Sequence, residues 1–160
     1  MAFKEILVLL VLVHVVGSIR VLNCRGRGKT VMVHGGKMML SRHVRAFRIT
    51  GRVRIARRGM APFRYRVSIL KKIRGNRYRR TFCPRRFCNR RFRCKAIPRI
   101  LRGARCRRRL LLPGLTRINS RWLRVPRLLR RLMRRVQRGQ LRIAVRFYAR
   151  GLYGCFEIRK

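Results

Sequence analysis

The stretch FRITGRVRIARRGMAPFRYRVSI, Phe47–Ile69, decides the fold class. Successive side chains of a strand point to opposite faces, so Phe47, Ile49, Gly51, Val53 and Ile55 share one side while Arg48, Thr50, Arg52 and Arg54 share the other. RRGMAP, Arg57–Pro62, supplies the glycine and proline of a turn, and Phe63, Tyr65, Val67 and Ile69 then alternate with Arg64, Arg66 and Ser68. Two adjacent runs of period two predict an antiparallel hairpin, apolar within and arginine without.

Outward from this stretch the extended pattern returns. YRRTF (Tyr78–Phe82) reads as a third strand, and RLLLPG (Arg109–Gly114) as a buried strand ending in a turn. Leu141, Ile143, Val145 and Phe147 alternate again, and a closing strand passes through Tyr153, Cys155 and Glu157. One segment departs from it: RVPRLLRRLMRRVQRGQ, Arg124–Gln140. At 100° per residue Val125, Leu128, Leu129, Leu132, Met133 and Val136 lie on one side, and Arg127, Arg130, Arg131, Arg134, Arg135 and Arg138 on the other. Pro126 suits the first turn and Gly139 the C-terminal cap, which predicts a helix over about 126–138, roughly 20 Å long and too short to cross a bilayer. Arginines packed along one face repel, so the helix is expected to depend on docking its leucine side against its own domain. The class is mainly β, with one strong helix.

The chain opens MAFKEILVLLVLVHVVGSIR: Lys4, an apolar run from Ile6 to Val16, then Gly17 and Ser18. This predicts a secretory signal peptide over 1–18, a basic segment over 19–43, and a single domain over 44–160. The roughly 140 residues after the signal are enough to bury a core.

Composition narrows function sharply. The chain holds 47 lysines and arginines against 2 acidic residues, Glu5 and Glu157, a formal net charge of +45, and it contains no aspartate. The expected partner is a polyanion, because the planar arginine fork makes paired hydrogen bonds to sulfate, phosphate and carboxylate. An enzyme is not expected. Two-carboxylate chemistry, an acid-oriented catalytic triad and oxygen-ligand metal sites all lack their carboxylates, and His34 and His43 have no partner in sight. Neither metal nor cofactor is called for. Cys24, Cys83, Cys88, Cys94, Cys106 and Cys155 are an even six in an apparently exported chain, which predicts up to three disulfides among 15 pairings that sequence cannot choose between. Zinc is the weaker alternative, since Cys83, Cys88, Cys94 and Cys106 form no CxxC knuckle. Within FCPRRFCNRRFRC (Phe82–Cys94) the unit FCxRR occurs twice, which reads either as a disulfide-pinned basic knuckle or as a chance repeat in an arginine-rich loop.

Two further stretches carry a resemblance. VRAFRITGRVRIARRGMAPFRYRVSILKKIRG (Val44–Gly75) resembles the first long hairpin of the netrin-like (NTR) module, and CKAIPRILRGARCRRRLLLPG (Cys94–Gly114) is similar to its Cys, Pro, Gly and following aliphatic strand. Trp122 and the basic helix then follow as in the netrin C-terminal type, so the resemblance covers roughly Cys24 to Gln140. The chain departs from the family in several places. The usual second cysteine before the first strand is missing, where LSRHVRAF (Leu40–Phe47) stands instead, and the middle carries extra cysteines, so disulfide pairing does not transfer. Leu141–Phe147 is an additional alternating segment, and Cys155 would be the family's last cysteine displaced. NCRGR (Asn23–Arg27) lacks the CxC of the metalloproteinase-inhibitor branch, so that inhibition is not expected.

The resemblance implies a secreted protein with an OB-like five-stranded β-barrel packed against a C-terminal amphipathic helix. It also implies binding to heparin or heparan sulfate at the cell surface or in extracellular matrix, and leaves room for an extracellular protein partner. The expected glycan-binding residues are Arg107, Arg108, Arg109, Arg127, Arg130, Arg131, Arg134, Arg135 and Arg138. Two rivals share the same charge. A secreted membrane-active or antimicrobial cation would insert the helix leucines into an anionic membrane, and a basic nucleic-acid-binding protein would grip phosphates without sequence preference.

Overall fold

The structure is a computed structural model that describes residues 19–26, 28–83, 88–118 and 121–160; the expected signal peptide, 1–18, lies outside them. Strands β1 (Ile19–Asn23), β2 (Val31–Leu40), β3 (Ala46–Ile55) and β4 (Gly59–Lys72) come first, then β5 (Tyr78–Thr81) and β6 (Asn89–Phe92). A 3-10 turn at Cys94–Ala96 leads into the one-turn helix α1 (Ile97–Ile100), followed by β7 (Leu101–Arg102), β8 (Cys106–Arg107), β9 (Leu110–Leu111), β10 (Gly114–Ile118) and β11 (Leu123–Arg124). Helix α2 (Arg127–Gln137) precedes the last two strands, β12 (Leu141–Arg150) and β13 (Leu152–Arg159). The described strands form one sheet in the order β7-β10-β3-β2-β1-β13-β12-β4-β9-β8, with β11 beside β3, and β5 and β6 beside β4. The fold is mainly β, as the alternation requires.

The chain itself forces this sheet to curl. At the end where β3 leads into β4, β2 also pairs directly with β13 at Val31 and Gly154, so three strands, β2, β13 and β12, separate β3 from β4, yet only Ala56, Arg57 and Arg58 join them. Laid flat, β3 and β4 would stand four strand spacings apart there, roughly 19 Å. Three linking residues reach about 14 Å. The result is a half-barrel. The β9–β10 segment turns the same corner: Leu111 pairs with Gly59 on β4, and Gly114 pairs with Ile55 on β3.

The expected hairpin is therefore corrected. β3 and β4 do not pair; β3 lies between β2 and β10, and β4 lies between β12 and the short strands β9, β6 and β5. Both runs are strands with arginine on the outer face, but their edges are taken by partners distant in sequence. The segment 19–43, expected to precede the domain, supplies β1 and β2 to the middle of the sheet, where β1 pairs with both β2 and β13. A bulge in β2 between His34 and Lys37 fits three strands together there. Gly36 sits so close to β1 that a Cβ on it would lie 2.5 Å from the Val21 carbonyl oxygen. RLLLPG contributes only the two-residue β9, with Leu111 buried and Leu110 exposed, before β10 starts at Gly114.

The inward faces meet in one core. Phe63, Ile19, Ile55, Leu111 and Val136 are its largest fully buried side chains, so strands from the whole chain and helix α2 share it. Phe63 stacks on Phe92 and Phe147 at 5.9 and 6.1 Å between ring centres, binding β4 to β6 and β12. All six cysteines are paired: Cys24 with Cys155, Cys83 with Cys88, and Cys94 with Cys106. The first joins the end of β1 to β13 across 131 residues, and there the Cys24 N–H also donates to the Cys155 carbonyl at 2.9 Å. The zinc alternative has no support, because these thiols are used in disulfides and no metal-ligating cluster occurs among the described residues.

Candidate functional site

Helix α2 spans Arg127–Gln137, slightly shorter than 126–138; Pro126 is its N-cap rather than part of the first turn, and makes no side-chain capping bond. No acidic residue occupies the first turn, while Arg134 and Arg135 in the last turn complement the negative end of the helix dipole. Past that end Gly139 takes φ +72°, and its N–H donates to Val136 O at 2.9 Å while the Gln140 N–H donates to Arg135 O at 2.9 Å. This paired closure satisfies two orphan carbonyls, and the left-handed turn favours glycine.

The helix packs on β12 and β13. Val136, Met133 and Val125 are buried, and Leu129 and Leu132 pack at the core's margin. Arg127, Arg131, Arg134, Arg135 and Arg138 are exposed; Arg130 is half-buried, its Nε donating to the Val125 carbonyl at 3.4 Å. Magnitudes show why docking is necessary. Four i,i+4 arginine pairs, Arg127/Arg131, Arg130/Arg134, Arg131/Arg135 and Arg134/Arg138, cost about 0.2–0.5 kcal/mol each, or about 1–2 in total. Burying Val136 and Met133 contributes about 1.5–3 kcal/mol for each side chain. The packing wins, and the arginines are carried on a helix anchored in the core by Met133 and Val136.

Near its C-terminal end, Arg135 joins a second set of cations. Lys71, Lys72 and Arg74 line a shallow cavity of about 330 Å³ with Arg135, Gly75 and Gln140, and the Lys72 N–H donates to the Gln140 carbonyl at 2.9 Å. Nothing in the local sequence marks these lysines as neighbours of the helix. Strand β12 brings them there, since Leu141 pairs with Lys71 immediately after the helix ends. Arg107, Arg108 and Arg109 occupy a different place, the end of β8 and its turn into β9, fixed by the Cys94–Cys106 disulfide and by the Ala61 N–H donating to Arg109 O at 3.0 Å. All three are exposed, and Arg108 makes the tight turn at φ +52°.

With two carboxylates for 47 cations, most arginines have no side-chain acid to neutralise them. Glu157 on β13 is already engaged: Arg142 Nη1 lies 3.2 Å from its Oε1, and the same guanidinium sits 3.9 Å from the centre of the Tyr78 ring. In the FCxRR repeat Cys83 is paired with Cys88, and residues 84–87 between them lie outside the described set. No helix among the described residues is long and apolar enough to cross a membrane. No protein-family model matches the chain, and no curated protein is similar to it in sequence.

Proposed function

We propose that this protein is a secreted, non-enzymatic binding protein of netrin-like type that holds heparan sulfate or a similar acidic glycan on its arginine clusters. The observation that carries this reading is the division of labour on α2. Val136 and Met133 are buried and Leu129 and Leu132 pack at the core's margin, while Arg127, Arg131, Arg134, Arg135 and the capping Arg138 are exposed and Arg130 is half-buried. A membrane-active cation would have to pull Val136 and Met133 out of the core before inserting that side. Three disulfides suit an oxidising, extracellular setting and hold the arginines on a fixed surface. We read the fold as an OB-like barrel whose five staves are β2, β3, β4, β12 and β13, the strands of eight residues or more, with α2 against its end. The bend from β3 into β4, matched by β9 into β10, supports this. The helix is followed by a strand pair rather than ending the chain.

Replacing Arg130, Arg131, Arg134 and Arg135 together by Gln tests the assignment. The variant is expected to keep its circular dichroism and elute from heparin at clearly lower salt. Elution at unchanged salt would remove α2 from the binding surface.

A further inference from the structure

Four side chains that are far apart in sequence stand in one row on the outer face of the sheet. Arg102 on β7 pairs directly with Arg117 on β10, Arg117 with Arg52 on β3, and Arg52 with His34 on β2. Directly opposed residues of antiparallel strands point the same way, and all four are exposed. Three spacings of roughly 4.8 Å make the row about 14 Å long, running perpendicular to the strands. Two residues along β3, Arg54 adds another exposed cation, set between Leu115 and Met32 in the next row. An open depression of about 540 Å³ lies beside it, lined by His34, Arg54, Ile55, Ala56, Gly114 and Leu115.

Like charges facing each other across strands destabilise a sheet unless something neutralises them. The chain has only two acidic side chains to offer, Glu5 and Glu157, and Glu157 sits against Arg142 on β12. From this we infer that the face formed by β7, β10, β3 and β2 is a second binding site, separate from α2, for a linear sulfated polysaccharide laid across the strands. This deepens the glycan-binding reading and rests on it. Arg102, Arg117 and Arg52 hold successive sulfates through paired N–H donors, His34 closes the row, and the depression beside Arg54 receives a substituent projecting from the chain. Single-stranded nucleic acid is the poorer fit, because successive bases need rings to stack on and His34 offers the only one in either row.

The test is a triple variant, Arg52→Gln, Arg102→Gln and Arg117→Gln, compared with the helix variant Arg130→Gln, Arg131→Gln, Arg134→Gln and Arg135→Gln. Binding to heparin is titrated over a range of salt, and thermal unfolding serves as the folding control. Loss of three charge contacts lowers the slope of log K against log salt by about two to three. Thermal stability stays level or rises as repulsion is removed. An unchanged slope in the triple variant, with a reduced slope in the helix variant, overturns the second site and leaves glycan binding intact. If neither variant nor wild type distinguishes heparin from a sulfonate resin, the glycan reading falls and the inference falls with it. Poly(dT) held to the same salt as heparin, with the same loss in the triple variant, would overturn the choice of a glycan in favour of nucleic acid.

Discussion

Helix α2 and the outer face of β7, β10, β3 and β2 both crowd arginines together, and they hold them by different means. On the helix the charges are close neighbours in sequence, and the element depends on the burial of Val136 and Met133 beneath them. On the sheet the row is assembled from positions 34, 52, 102 and 117, and each backbone is held by the ladder on its flank. Crowded charge survives where another force fixes the backbone. One surface should therefore be sensitive to a single core residue, and the other to whatever holds distant strands in register.

Val136→Asp attacks the first support. A carboxylate placed at a fully buried site should cost about 4 kcal/mol or more, read as a lowered denaturation midpoint. Because α2 shares its core with the strands, helical and strand signals should be lost together. An unchanged midpoint would mean that the helix is not docked.

Strand register at the middle of the sheet is tested by Cys24→Ser with Cys155→Ser, which cuts the link between β1, the neighbour of β2, and β13 across 131 residues. The expected loss is about 2–4 kcal/mol, measured as a fall in Tm. A variant as stable as the parent would show that the ladder alone keeps these strands in register. Gly139→Ala has the smallest expected effect. A Cβ there meets nothing within 4 Å, so the cost is that of the φ +72° backbone, about 1 kcal/mol, and it should fall on the end of the helix. A gain in stability would contradict the left-handed closure.

The helix was legible because its signal is local: a period of 3.6 across Val125–Val136 places the leucines and arginines without knowledge of anything else. The same holds for β12, where Leu141, Ile143, Val145 and Phe147 alternate and pack inward, and for the number of cysteines available to pair. What was not legible depends on contacts between distant residues. Phe47–Ile55 and Phe63–Ile69 carry matching faces and an intervening turn, which is the local signature of a hairpin, yet their edges pair with residues 31–40, 114–118 and 141–150. Val31 and Val33 begin an alternation that Gly35 and Gly36 interrupt, so β2 does not stand out until Gly51 and Val21 are seen against the bulge. Lys71 beside Arg135, and Arg117 between Arg102 and Arg52, become neighbours only after the sheet has formed.

If a folded surface, rather than bulk charge, binds the glycan, the difference shows in salt elution of the oxidised protein from heparin beside a sulfonate resin of similar charge density, repeated after reduction of the three disulfides. Heparin should retain the oxidised protein to clearly higher salt than the sulfonate resin, and reduction should abolish the difference. Release from both resins at the same salt, oxidised or reduced, would mean that bulk charge alone binds and would contradict a folded glycan-binding surface.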